Sequence, residues 1–441
     1  MYRVLLLSLV FIAGCQQRPG AVVVAPPFEP DTGSLVVYCG TLIDGIADEP
    51  IHDQVVVIRD GRFESVGDGD MDADLPLLDL SRHTCMPGLI NTHVHLMEQP
   101  EDAVDYGVYY KRTLQDHVDL VLKTGAANLL TGFTTVRNVG DFGTDPILLG
   151  REKFRSGEAI GPRVQTGGPF LTIPGGGGDL VVPYLDEDDI PPQLRKGVAS
   201  GVDEFRKRAE QAVAEGAEFL KVIASGAVFA FGTEPGAPEM TQDEIAAVVD
   251  VARQHGVKVT AHVHSAQSGK DAVRAGVDTL EHASLLDDEA LALVKERGVS
   301  LSMDVYNGTY TDTVGREQGY PEEYLQRNVD TTEAQRIVFE KAYALGIPIL
   351  YGTDAGVLPH DMGGWQFGIM IERGMAPMDA LRSAMSVAAK HMGWEDRVGA
   401  VRPGLYGDLI AVKGNPLDNP DVMKDVRVVI KGGHIFKRPG T

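Results

Sequence analysis

The sequence predicts an α/β fold: a (β/α)8 TIM barrel with a small β-sandwich domain built from both chain ends. Two observations carry that expectation. Apolar, strand-like runs alternate with helical stretches eight times through the middle of the chain, which is the strand count of a closed barrel. Short β-branched runs also flank this middle on both sides. The 441 residues leave room for a barrel of roughly 250 residues and a satellite domain.

Residues 1–15 stand apart from the fold. Arg3 supplies a positive charge and residues 4–13 form an apolar run. That run is too short to span a membrane, which takes about 20 apolar residues, and it suits an export signal. It ends in Ile12, Ala13, Gly14 and Cys15, which resembles a bacterial lipobox whose cysteine is lipidated. The alternative is an ordinary export signal with an incidental cysteine. Residues 16–33, rich in Pro, Gly and Ala, read as a flexible tether. Gln16 after the cysteine implies, by the same resemblance, the periplasmic face of an outer membrane.

Residues 34–85 and 401–437 form the expected composite sandwich. Runs 35–38 and 54–58 are β-branched, and Asp60 with Gly61 marks a hairpin turn. Runs 408–412 and 426–433 repeat the character at the other end. Cys39 and Cys85 both fall in this domain, so a disulfide and two buried thiols are both open.

The barrel spans residues 86–400. Its strand candidates are 89–95, 134–139, 163–167, 219–224, 257–262, 279–282, 299–303 and 347–353. Helical stretches include 202–214 and 241–255, where Thr241 and Glu244 make a capping box. A doubly wound nucleotide-binding fold lacks support, because no strand leads into a G-x-G-x-x-G turn that opens a helix. The glycines at 175–178 have no such context. Composition is that of an ordinary globular chain, with 43% hydrophobic and 23% charged residues, and the net charge is −23. An acidic surface without a basic cluster speaks against nucleic-acid binding.

Chemistry concentrates at the expected strand ends. His93 and His95 are two apart on a strand, so both imidazoles face one side. Lys221 sits in the apolar run Phe219, Leu220, Lys221, Val222, Ile223. Desolvation there lowers an amine's pKa, and a neutral amine can react with carbon dioxide. The competing reading is a lysine that snorkels to the strand end. His262, His282 and Asp354 close three further strands. Ligands gathered at the C-terminal face of a barrel mark an active site.

Residues 87–95, Pro-Gly-Leu-Ile-Asn-Thr-His-Val-His, resemble the signature opening of the amidohydrolase superfamily, with Asn91 in place of its Asp. Residues 134–140, 303–307 and 352–360 are similar to the subgroup of metal-dependent dipeptidases and carboxypeptidases that includes prolidase-like enzymes; imidazolonepropionase is a further likeness. The resemblance implies two divalent ions, zinc foremost. His93, His95 and Asp354 hold one, His262 and His282 the other, and carboxylated Lys221 bridges them. A water between the ions attacks an amide, with Asp354 as general base and acid and His264 stabilising the oxyanion. His264 is alternatively a rim histidine. Arg137, Tyr306 and His360 are substrate-binding candidates, although an ion pair serves Arg137 equally well. Relatives often carry a substrate-binding His in the loop that here reads Gly175, Gly176, Gly177, Gly178.

The implied substrate is a small amide: a dipeptide, Xaa-Pro-like or otherwise, or an N-acyl amino acid. Cyclic amides and aryl-acyl amino acids of the mycotoxin type are alternatives. A zinc-binding lipoprotein without catalysis is the alternative of another class. Homo-oligomerisation is compatible with all of these. The amino terminus is testable by itself. If Cys15 is lipidated, the protein partitions into a detergent phase and Cys15→Ala releases it to the soluble fraction. Equal partitioning of both forms would leave only a cleaved signal.

Overall fold

The computed structural model describes residues 21–23, 30–69 and 72–439. Residues 1–15, with Cys15, lie outside them, as does most of the expected tether. Within that stretch, however, Ala21–Val23 is a strand paired antiparallel with His434–Pro439. Among the described residues no helix is long and apolar enough to cross a membrane.

The two chain ends meet in one small β domain, as expected. Its strands share a single mixed sheet in the order Ala21–Val23, His434–Pro439, Val428–Lys431, Leu409–Val412, Leu77–Pro87, Leu35–Leu42, Ile51–Arg59, Arg62–Gly67. The ends join where Leu409 pairs with Pro87 and Val412 with Thr84. Alternate side chains from both ends, among them Val37, Val56, Phe63, Leu80, Ala411 and Ile430, pack into one buried cluster. The hairpin turn falls at Asp60 and Gly61, with φ of 47° and 74°. A Cβ on Gly61 would come within 2.1 Å of the Asp31 carbonyl oxygen, so this turn requires glycine.

All eight barrel strands form. They are β1 (Leu89–Val94), β2 (Phe133–Asn138), β3 (Arg163–Thr166), β4 (Phe219–Ile223), β5 (Lys258–Ser265), β6 (Thr279–Leu285), β7 (Ser300–Met303) and β8 (Ile349–Tyr351). Neighbours pair in parallel. Between β3 and β4 the chain breaks, and Phe170–Leu171 continues the third strand to pair with β4. The barrel closes where the Asp354 N–H donates to the His93 carbonyl at 2.9 Å and the His95 N–H to the Ala355 carbonyl at 2.7 Å.

Helices fill the outer layer. The helix Gln242–His255 begins with the expected Thr241–Glu244 capping box. It ends at Gly256, in the left-handed region, which lets the chain turn directly into β5. Arg163 ties the barrel to the small domain. Its guanidinium bonds Asp408 and Asp31 and stacks 3.7 Å from the Tyr406 ring centre.

Cys39 and Cys85 form a disulfide with Cα atoms 5.9 Å apart. It closes a 46-residue separation between two buried strands, which settles the question that the sequence leaves open. A loop of this size is worth about 2–4 kcal/mol. Reduction, or the paired substitution Cys39→Ser with Cys85→Ser, therefore lowers the thermal unfolding midpoint in calorimetry. An unchanged midpoint would show that the bridge contributes nothing.

Candidate metal centre

The strand ends deliver their histidines because inward-facing positions of a barrel alternate along each strand. β1 supplies His93, with His95 just beyond it; β4 supplies Lys221; β5 supplies His262 and His264. β6 departs from alternation. His282 and Ala283 have φ of 64° and 56°, so Glu281 and His282 both point inward. Asp354, after β8, has φ 54°. Left-handed backbone at non-glycine residues costs about 1–3 kcal/mol each. Here it falls on two of the expected ligands.

The histidine rings are held by their second nitrogens. His95 Nδ1 donates to the Gly140 carbonyl at 2.8 Å. His93 Nδ1 faces Glu281 Oε2 at 2.8 Å. His282 Nδ1 meets Asp304 Oδ1 at 3.0 Å, and His264 Nδ1 meets Ser284 Oγ at 2.9 Å. His262 is turned the other way, with Nε2 donating to the Gly226 carbonyl at 3.3 Å. Such outer partners fix tautomer and orientation in metal sites.

The free nitrogens converge. His93 Nε2 and His95 Nε2 lie 3.2 Å apart, and each is 3.3 Å from Asp354 Oδ1. Two ring nitrogens and a carboxylate thus face one another around one point, and positive charge, either a proton on His95 or a metal ion in its place, must lie among them. The separations also match the edges, roughly 3.3 Å, of a tetrahedron with zinc–nitrogen bonds of about 2.0 Å. The donor set therefore fits a metal ion. His262, His264 and His282 form a second such cluster, and His282, Asp304 and Asp354 a third that joins the first two.

Electrostatics fits the same reading for three of the rings and sets His95 apart. Burial pushes His93 down to about 4 and His264 down to about 3, and holds His262 well below its usual value. These rings are neutral and able to act as ligands at neutral pH. Burial opposes charge on His95 too, but the Glu98 and Asp354 carboxylates outweigh it and raise the ring to about 9. Burial lowers Lys221 to about 8 against the attraction of Glu281 and Asp354. It raises Glu98 to about 7 against the pull of His95.

A cavity opens over this group, enclosing about 810 Å³ of space that includes open solvent. His95, Lys221, His262, His264, His282 and Asp354 line it. His93 lies beneath them. The three substrate-binding candidates lie elsewhere. Arg137 is buried below the site, where it pairs with Glu281 at 3.0 Å and stacks on Phe219. His360 is held by Asn128 and by the Glu98 carbonyl. Tyr306 packs against Trp365. None of the three is among the residues that line the cavity, and for Arg137 the structure contains the ion pair that is its other reading.

Asn91 replaces the family's Asp productively. Its Oδ1 accepts from the His93 and Thr353 N–H groups, each at 3.2 Å, while its Nδ2 donates to Thr353 Oγ1 at 2.6 Å. The glycine loop lies close to the cavity. A Cβ on Gly177 would stand 3.0 Å from the Ala227 Cβ, so the wall leaves little room for a side chain there. Glu281, Asp304 and Gln335 support the histidine cluster and were not singled out in the sequence. Gln335 donates to Asp304 Oδ1 at 2.7 Å and thereby supports His282.

Fold and site together define a hydrolase class, and the family match agrees: residues 84–436 match the Amidohydrolase family. The chain belongs to that family. Among solved structures it is similar to a Xaa-Pro dipeptidase with methionine in its active site, at 32% identity and TM-score 0.84, covering 92% of this chain and all of that one. A prolidase complexed with N-methylphosphonate-L-proline is 28% identical, also with TM-score 0.84 and the same two coverages. Ochratoxinase of Aspergillus niger is 28% identical over 432 residues, 92% of this chain and 87% of that protein.

The placement of Arg137 has a measurable consequence. Removing one partner of a buried ion pair costs about 3–5 kcal/mol. Arg137→Leu should therefore lower both stability and metal content. A raised KM with unchanged unfolding and metal content would instead return Arg137 to substrate binding.

Proposed function

We propose that the chain is a binuclear metal-dependent hydrolase that cleaves the amide bond to a C-terminal amino acid, in dipeptides or N-acyl amino acids. Lys221 carries this reading. It is buried, faces the cavity and lies among the donor clusters, and simple metal storage needs no such amine. Its neutral form can take up carbon dioxide and become a bridging carboxylate. His93, His95 and Asp354 would hold one ion, and His262 and His282 the other. Zinc suits these nitrogen and oxygen donors.

When bound, the ions supply Lewis acidity and bring the pKa of water near neutrality. Asp354 takes the proton of the attacking water and returns one to the leaving amine. The Asn307 Nδ2 donates to Asp354 Oδ2 at 3.1 Å, which orients the carboxylate. His264, fixed by Ser284, faces the same cavity and stabilises the developing oxyanion. An aryl-acyl amino acid is the second reading. It is favoured by Tyr106, Phe142, Phe170 and Phe229 in the cavity wall and by the likeness to ochratoxinase. The amino-terminal segment supports an exported, Cys15-anchored protein.

The deciding experiment is amino acid release by zinc-reconstituted protein from a panel of dipeptides and N-acyl amino acids. Metal analysis is expected to give about two ions per chain. Asp354→Asn should cut kcat by roughly 10²–10⁴-fold while at least one ion remains. Lys221→Ala should lose both metal and activity, with partial rescue by a short-chain carboxylic acid. No hydrolysis of any panel member, or near-normal activity of Lys221→Ala, would overturn the proposal.

A further inference from the structure

Glu98 is a cavity group that the mechanism leaves unused. It is 7% exposed and lines the cavity. Its carboxylate feels His95, Asp354, Asp102 and Arg112 through space, yet accepts no hydrogen bond from any described side chain. A buried carboxylate in that condition carries a large desolvation cost. Its backbone is nevertheless fixed. The Glu98 N–H donates to the His95 carbonyl at 3.0 Å, and the Glu98 carbonyl accepts from His360 Nε2 at 3.0 Å. Aromatic rings line the cavity with it. Tyr106 and Phe142 have centroids 6.3 Å apart, and Phe142 and Phe170 5.2 Å apart; Phe170 lies 5.5 Å from the His95 ring.

A carboxylate beside aromatic rings favours an organic cation, by ion pairing and by attraction to the ring faces. A third metal ion fits less well. Among the described residues Glu98 groups with His95 and Asp141. Both nitrogens of His95 are already committed, Nδ1 to Gly140 and Nε2 to the His93 and Asp354 triangle.

We infer that Glu98, with Tyr106, Phe142 and Phe170, is the subsite for the free α-ammonium group of the substrate. This rests on the hydrolase reading above and narrows it to unblocked dipeptides over N-acyl amino acids.

The test has two arms. In the first, kcat/KM is measured for a dipeptide and for its N-acetyl derivative, using metal-loaded wild-type protein and Glu98→Gln. The wild type should favour the free dipeptide at least tenfold, and Glu98→Gln should shrink that ratio at least tenfold. In the second, calorimetry follows binding of phenethylamine and of neutral 2-phenylethanol to the metal-loaded proteins. The amine should bind wild type at least tenfold more tightly than the alcohol, and Glu98→Gln should erase the difference, whereas Glu98→Asp retains part of it. Wild-type preference for the N-acetyl substrate, an unchanged ratio in Glu98→Gln, or amine binding that is independent of Glu98 would overturn the inference. So would loss of metal from Glu98→Gln, which would mark the residue as a support for His95. Failure to cleave either substrate would count against the hydrolase reading, and the binding arm would still decide the subsite.

Discussion

The arrangement at the mouth of the barrel depends on one buried carboxylate, Glu281. It sits on β6 and reaches three other strands. Arg137 of β2 and Thr260 of β5 donate to its Oε1, and His93 of β1 faces its Oε2. Together these contacts hold it well below the usual carboxylate range despite complete burial. Isolated, such a charge would be prohibitive in the interior. Held by two donors on one oxygen and close to His93 with the other, it positions that ring with Nε2 toward Asp354. The triangle of donors is thus set from below, by groups that do not line the cavity.

Much of this was legible in the sequence because barrel architecture repeats. Eight apolar runs with helices between them gave eight strands, and the six ligand candidates all reach one centre. The third strand was less legible, since its break at residues 167–169 places Phe170 and Leu171 against β4 instead of extending β3. Glu281 was hidden by the period-two rule itself. Next to an inward His282 it should point outward, and only the left-handed turn at His282 brings both inside. Arg137, Tyr306 and His360 lie off the cavity wall for a related reason. Proximity in a motif gives the strand, while the depth at which a side chain lies is fixed by packing.

The same distinction separates the class of chemistry from its target. Donor identity and spacing mark a candidate metal centre in an amidohydrolase-family barrel almost residue by residue. The cavity wall is assembled from the loops and helices beyond the strands: Tyr106, Phe142, Phe229 and, from one helix, Asn328 and Thr332 come from four separate parts of the chain. No local pattern announces such a wall. The glycine loop illustrates the point, since Gly177 presses against Ala227 where relatives often place a histidine.

The sheet built from both chain ends also constrains the order in which the molecule can be completed. Residues 77–87 lie between a strand already synthesised, Leu35–Leu42, and one that emerges more than three hundred residues later, Leu409–Val412. Until then one edge of that strand stays unpaired, and the barrel, closed by β1 against β8, is also open for most of synthesis. Contacts of such sequence separation slow folding and leave sticky edges exposed in the interval. The exposed edge of Leu77–Pro87 thus persists until the final segment is available. Because Ala21–Val23 pairs with the last strand, the first and last described strands lie side by side, and a short linker from Pro439 to Ala21 would let the described fold be reopened elsewhere with its topology intact.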